Sequence, residues 1–307
     1  MQTGRSHDSS AAVRRSRGEA AVVLAAGDYT AVFLPDLGML GASLTWRGTE
    51  LLSLHGGLAA YRRRSSTGIP LLAPWANRLS KTKFRVAGVD VDLRLLPIKL
   101  DPNGLPMHGT MTARRGWEVV RLEPGRLVAR FDYSTPELLA AFPFPHELEV
   151  EARLSENGLR VTTALRPTGR RRVPVSFGWH PYFKAPGRRD RWSLRVPARE
   201  HLGLDPKGIP NGRSTPEPAG TVSLGDRALD DLYALGRDRR FVLSGGGRAI
   251  EVRFDDGYPF AQLFAPPGKR FVAIEPMTAP TDALVTRTCP FVKPKERFTA
   301  GFSVSAR

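Results

Sequence analysis

From Ala21 onward the chain reads as short apolar stretches broken by Gly, Pro and Asp. The clearest runs from Glu147 to Leu154, with Leu148, Val150, Ala152 and Leu154 in one phase and Glu147, Glu149, Glu151 and Arg153 in the other. Strand side chains alternate between two faces, so this stretch predicts a strand with one buried and one wet side. Asn157-Gly158 is a hairpin signal, and Leu159, Val161, Thr163 and Leu165 carry the pattern back. The same grammar recurs at Ala21 to Leu24 and Thr30 to Leu34. Lys83 to Val86 turns at Ala87-Gly88 into Val89 to Leu95, which also has period two. Phe241 to Leu243 and Ile250 to Phe254 flank a glycine-rich turn, and Phe298 to Val304 alternates toward the end. Helical periodicity is confined to Pro136 to Ala141 and Asp226 to Leu235, each enough for a turn or two. The prediction is a mainly β protein, a large antiparallel β-sandwich with few short helices.

Residues 1–18 are polar, basic and aperiodic, which predicts a disordered tail ahead of a single domain at 19–307. Hydrophobic residues make up 41% of the chain and charged ones 25%, a globular balance. Cys289, the single cysteine, excludes a disulfide framework and argues against a thiolate metal site. No apolar run is long enough for a spanning helix and the first residues lack a secretion signal, so the expected location is cytoplasmic.

The formal charge of +16 raises the question of nucleic acid. Its arginines, however, lie in scattered clusters at Arg62 to Arg64, Arg170 to Arg172 and Arg188 with Arg189, without a recognition motif. No specific nucleic-acid partner and no membrane partner are expected, and weak adhesion to polyanions at low salt is.

Candidate chemistry is concentrated at two strand ends. In Val173 to Phe183, the residues Val175, Phe177 and Trp179 share a bulky face, while Ser176, Gly178 and His180 share one that is nearly bare. The bare face leaves room beside an imidazole for a ligand about the size of one sugar ring, and Pro181 stops the ladder there. In Arg270 to Met277, Phe271, Ala273 and Glu275 share one face, and Pro276 is expected to end that strand too. A carboxylate in such company is costly unless paired or used, so Glu275 is the leading candidate base. Buried pairing with an arginine is the alternative. Three further places carry polar groups: Asn77 and Arg78 on a proline-braced segment, His108 in an exposed loop, and Asp230 or Asp231 in a stretch where either is equally a helix cap or a solvated acid. A guanidinium on a rigid segment suits a polyhydroxylated or anionic ligand. There is no zinc-type cluster, no glycine-rich phosphate loop and no G-x-S-x-G elbow, so neither metal nor cofactor is expected.

P-W-A-N-R-L (Pro74 to Leu79), M-H-G (Met107 to Gly109), G-W-H-P-Y-F (Gly178 to Phe183), L-D-D-L-Y (Leu229 to Tyr233) and I-E-P (Ile274 to Pro276), in this order, resemble the aldose 1-epimerase (galactose mutarotase) family over roughly residues 20 to 305. The resemblance implies a galactose mutarotase-like sandwich whose concave face binds a monosaccharide. It implies Glu275 as general base and His180 as general acid; as titratable residues at two strand ends, each followed by proline, they are expected on opposite sides of a bound sugar. It also implies Arg78, His108 and Asp230 as substrate contacts, Asp230 rather than Asp231 because of its distance from Tyr233. The implied reaction is anomer interconversion of a free aldose by ring opening, in a monomer or homodimer. The lead-in Pro-Val-Ser-Phe-Gly-Trp departs from the asparagine-rich one of galactose mutarotases proper. That departure and the arginines near the motifs leave hexose 6-phosphates as an alternative substrate class, and a noncatalytic sugar-binding protein as an alternative function. The mechanism calls for an ionised glutamate and a protonated histidine, each favouring the other's charge.

Overall fold

The alternating stretches pair as their patterns require. In the computed structural model, which describes residues 9–307, His146–Ser155 and Gly158–Pro167 form a long hairpin in register from His146 opposite Pro167 to Ser155 opposite Gly158. This hairpin is the middle of a nine-stranded sheet. The sheet runs Gly220–Ser223, Ser193–Val196, Arg240–Gly245, Arg248–Phe254, Phe298–Ala306, Gly158–Pro167, His146–Ser155, Arg126–Tyr133 and Glu118–Glu123. A second large sheet runs Pro210–Glu217, Arg199–Leu204, Leu229–Leu235, Phe260–Ala265, Val272–Met277, Gly178–Trp179 and Leu71–Leu72, with Tyr182–Phe183 also paired to Val272–Met277. Pairing between strands in both sheets is antiparallel. The fold is the expected large β-sandwich.

The core fills the space between these two sheets. Leu148, Val150, Val161 and Phe302 come up from one side, and Trp179, Leu263, Val272 and Ile274 come down from the other, all fully or nearly fully buried. Removing one such side chain as large as Phe302 from water is worth about 1.5–3 kcal/mol. Thr163 is the polar interruption on the inner face, and the Trp179 indole N–H donates to its hydroxyl at 2.9 Å, which leaves neither group unsatisfied. On the outer face lie ion pairs, among them Arg130 with Glu149 across one strand pair at 2.8 Å and Arg297, just ahead of Phe298–Ala306, with Glu149 at 2.7 Å. Part of the arginine excess is therefore spent on a solvated ladder, where each pair contributes about 0–1 kcal/mol.

Several expectations need correction. Residues 1–8 of the expected tail lie outside the described residues, but Ser10–Ser16 is a strand, paired with Glu19–Ala26 from Ser10 opposite Ala25 to Ser16 opposite Glu19. Its side chains are largely exposed, so backbone hydrogen bonding to the edge of a five-stranded sheet holds it, not burial. The helical turn expected in Asp226 to Leu235 is instead the strand Leu229–Leu235, whereas Pro136–Ala141 is the expected short helix. Leu95 does not continue the period-two strand, which ends at Asp92, and it stands 97% exposed. Pro276 does not end its strand, because Val272–Met277 continues through it. Ile274 donates to the Pro181 carbonyl, so the two-residue alternation points the Pro276 nitrogen to the same side. One ladder hydrogen bond is given up there, opposite Trp179, and the pattern resumes where the Thr278 amide donates to the Phe177 carbonyl at 3.0 Å. Among the described residues no helix is long and apolar enough to cross a membrane.

Not every histidine belongs to a site. His146 is fully buried and stacked on Tyr133 with ring centroids 4.6 Å apart, and its Nδ1–H donates to the Phe144 carbonyl at 2.7 Å. Burial pulls its pKa down to about 4, against the opposing pull of that carbonyl. A histidine with a depressed folded pKa stabilises above its unfolded value near 6.5 and costs stability as pH falls toward the folded one. Between pH 7 and pH 5 His146 should cost about 2 kcal/mol. Urea unfolding of His146→Phe is expected to lose that much less stability over this interval than the unsubstituted protein does.

Candidate active site

Two ribbons and three neighbouring strands bring the polar residues together. The segment carrying Asn77 and Arg78 runs beside the one carrying His108: the Leu79 amide donates to Pro106, the His108 amide to Asn77, and the Thr110 amide to Ala73, at 2.9, 2.9 and 2.8 Å. Both Asn77 and His108 have left-handed backbones, with φ of 55° and 62°. Gly109 follows with φ +64°, and a Cβ there would overlap the Ala73 carbonyl. Glycine is what lets the two segments touch. Across the large sheet, Asp230, Gln262 and Glu275 lie on three adjacent strands, Gln262 directly opposite Glu275. The Gln262 amide nitrogen donates to Asp230 Oδ1 at 2.6 Å. Gly178 lies opposite Met277 on the other side of the Glu275 strand, and a Cβ on it would come within 2.6 Å of the Pro276 carbonyl oxygen. His180 emerges two residues later.

All six expected residues, Asn77, Arg78, His108, His180, Asp230 and Glu275, line one cleft of about 350 Å³. That volume is in the range of small-molecule sites. Arg78 is held from behind: its Nε donates to Asp101 Oδ2 at 2.9 Å and its Nη1 to Asn77 Oδ1 at 3.0 Å, while its Nη2 is 3.8 Å from Asp230 Oδ2. Burial would raise the Asp101 carboxyl, but the Leu105 amide, Arg78 and Asn103 together hold it below the usual range. Asp231 points away from the cleft and sits 3.3 Å from His201 Nε2, as strand alternation requires.

Two features differ from expectation. His108 is not exposed but 4% accessible, packed edge-on against His180 at 5.5 Å in the cleft floor. Glu275 and His180 do not stand apart: Glu275 Oε1 is 3.0 Å from His180 Nε2, which also lies 3.1 Å from the Tyr182 hydroxyl. Nor does the environment favour both charges. Burial pushes Glu275 well above its ordinary pKa, with Asp230 adding to this and Arg78 and Lys99 opposing it. Burial likewise pushes His180 well below its own, with Lys99 adding to it. Burial therefore favours the neutral form of each, carboxylic acid beside imidazole, with one proton between the two groups.

Gln262, Tyr182, Asp101, His55 and Lys99 were not singled out from the sequence. Tyr182 lay within a quoted motif, and Asp101 opens an Asp-Pro-Asn-Gly turn, which is a turn signal. Gln262 is a lone amide in the apolar strand Phe260–Ala265, and it is 2% accessible. Among the described residues, Nδ1 of His55, His108 and His180, Oε1 of Gln262 and Oε2 of Glu275 are buried without a hydrogen-bond partner, and all five belong to residues that line this cleft. Buried polar atoms are normally satisfied, so five unpaired ones around a single cleft mark it as a candidate ligand site.

A cleft of this kind on a two-sheet antiparallel scaffold defines a protein of the galactose mutarotase-like fold. The chain belongs to the aldose 1-epimerase family, whose model matches residues 21–305. It is similar in structure to a galactose mutarotase-like protein from Clostridium acetobutylicum, at 19% identity, with 98% of this chain and 99% of that one covered and a TM-score of 0.86. A protein from Synechocystis sp. PCC 6803 is 23% identical, with 100% and 99% covered and a TM-score of 0.75. The galactose 1-epimerase of Lactobacillus acidophilus is 13% identical, with 98% and 99% covered and a TM-score of 0.76. No curated protein matches by sequence. Family membership supports an epimerase or mutarotase function in general terms.

The Gly109 contact carries the local architecture. Gly109→Ala combines a left-handed backbone with overlap on Ala73, and it is expected to cost about 2 kcal/mol or more, read as a lower denaturant midpoint. Gly88→Ala, at an open turn, should cost less because nothing surrounds its Cβ.

Proposed function

We propose that the protein is an aldose 1-epimerase that interconverts the α and β anomers of a free aldose by acid–base ring opening. The observation that carries this reading is the 3.0 Å contact between Glu275 and His180 at the floor of the cleft. The two oxygens that exchange protons in mutarotation, the anomeric hydroxyl and the ring oxygen, are bonded to the same carbon. An acid and a base that serve both must lie within hydrogen-bond reach of one carbon's two oxygens, and two groups this close can do so.

In the reaction the Glu275 carboxylate takes the proton from the anomeric hydroxyl. The C1–O1 bond becomes a carbonyl, the bond from C1 to the ring oxygen breaks, and the ring oxygen takes the proton from His180. Rotation about C1–C2 presents the other face of the aldehyde. Closure reverses the two transfers and restores both groups. Arg78, His108, Asn77 and Asp230 hold the remaining hydroxyls, with Gln262 fixing Asp230 through its amide. No step calls on a metal or a cofactor.

The pair works while it holds its shared proton, and is lost to the reaction when it gains a second or gives up the last. Since burial pushes Glu275 up and His180 down, the two limbs are driven apart. The rate should therefore follow a bell with a broad plateau. Glu275→Gln and His180→Gln should each lower kcat by about 10² to 10⁴ with a much smaller change in KM. NMR of freshly dissolved α-anomers, 6-phosphates included, measures both and identifies the preferred sugar. Binding without accelerated equilibration for every sugar in the panel would replace this reading with that of a noncatalytic sugar-binding protein.

A further inference from the structure

The motifs that define the site leave one charged cleft residue without a role. Lys99 lies at the end of a hairpin: Met107 donates its amide to the Lys99 carbonyl at 2.9 Å, Leu100 bridges Pro106, and the Asp101 amide donates to Leu105 at 2.9 Å. Met107 in turn bridges Arg78. Lys99, Met107 and Arg78 are thus adjacent across a narrow ribbon that forms one wall of the cleft, and the Lys99 side chain lines the cleft together with Glu275.

The charges around it are already committed elsewhere. Arg78 has Asp101 at 2.9 Å and Asp230 at 3.8 Å. Behind Lys99 a small hollow of about 30 Å³ holds Arg64, Arg114 and Glu137, and there Glu137 is taken by Arg114 at 3.3 Å. His108 and His180, the imidazoles facing it across the cleft, are kept neutral by burial, an effect to which Lys99 itself adds. Among the described residues the Lys99 ammonium makes no hydrogen bond and no ion pair. The one carboxyl that draws it toward the charged state is Glu275.

We propose that Lys99 is a positioning residue for the reaction, its ammonium being the free counter-charge that lets Glu275 exist as a carboxylate inside the cleft. This rests on the mutarotase reading insofar as Glu275 is the base. Glu275 faces burial and Asp230, which oppose its ionisation, and Arg78 and Lys99, which favour it. Arg78 acts with two carboxylates beside it, so its field at Glu275 is largely cancelled. Lys99 acts with none. A sugar that fills the cleft removes water from both groups and strengthens their attraction across it. The arrangement is reciprocal: burial, with help from Arg78, pulls Lys99 down to about 8, and Glu275 holds it up. Lys99 is therefore charged below about pH 8, and above that the support for the carboxylate fades.

The test reads the carboxyl directly. Protein carrying [5-¹³C]glutamate is titrated by NMR, with Glu275→Gln identifying the Glu275 signal. Lys99→Met is expected to move the Glu275 titration up by about one pH unit or more, with Lys99→Arg leaving it near its original position. The high-pH limb of kcat/KM, where the pair gives up its last proton, should move in parallel. A Glu275 signal that titrates identically in Lys99→Met and the unsubstituted protein overturns the proposal, as does an upward shift that Lys99→Arg fails to reverse. Lys99→Gln provides a second neutral variant if Lys99→Met unfolds. Because the titration needs no turnover, a protein that accelerates no anomer exchange would sink the mutarotase reading while the role of Lys99 is still decided by the spectrum.

Discussion

Everything at the site follows from one close approach. Gly178 lies against the strand that carries Glu275, with no room for a Cβ beside the Pro276 carbonyl, and Trp179 is pinned from below by its bond to Thr163. Those two residues leave His180 one place to go, next to Glu275. A carboxyl and an imidazole, nearly a hundred residues apart in sequence, are thereby held in contact where water is scarce. Burying an isolated carboxylate would be prohibitive, and burying a broken pair costs several kcal/mol. With the carboxyl protonated and the imidazole neutral, the two carry no net charge and the fold can keep them dry.

The two large sheets divide the work. The nine-stranded sheet alternates in its middle strands, apolar within and ion-paired without, and supplies the apolar floor on which Trp179, Leu263 and Ile274 rest. The other sheet breaks its own regularity where function requires it. Its neighbour to the Glu275 strand is split into Gly178–Trp179 and Tyr182–Phe183, and the split is where the imidazole leaves the sheet. Asp230, Gln262 and Glu275, by contrast, stand on unbroken strands as a cross-strand row. Side chains mounted this way are placed by the sheet itself, which suits a row that must keep its spacing.

How much of this was legible depends on whether a signal was local. Alternation at Glu147 to Leu154 described its own strand, because burial of one face is written into every second residue. Leu229 to Leu235 misled because Leu229, Leu232, Tyr233 and Leu235 satisfy helical spacing too, and pairing with strands on both sides decided the matter. Ser10–Ser16 misled in the opposite sense: a sheet edge can recruit a polar segment through its backbone, which composition does not register. At the site, His180 and Glu275 stood out as titratable residues beside prolines in apolar company. Gln262 and Lys99 carried no such mark, since one is an amide in an apolar strand and the other a lysine in a Leu-Pro stretch. Their importance arises from what lies across the cleft, and no single segment contains that information.

The placement of the candidate acid–base pair and its charge have different causes. Read as sequence, Glu275 and His180 look like opposite charges that would sustain each other. In the folded protein the dominant force on both is loss of water, which opposes either charge and favours the neutral form of each. A buried neutral pair is not by itself a poised catalyst, because the useful tautomer is the one burial disfavours. What tips it must be fixed charge in the cleft wall that is not already neutralised. Asp230 pulls against the carboxylate, and Arg78 is surrounded by Asp101 and Asp230. The balance at Glu275 therefore falls to the least conspicuous cation in the cleft. It also explains why that cation sits on a hydrogen-bonded hairpin: on a mobile loop it would reach solvent, where its field at Glu275 would be screened.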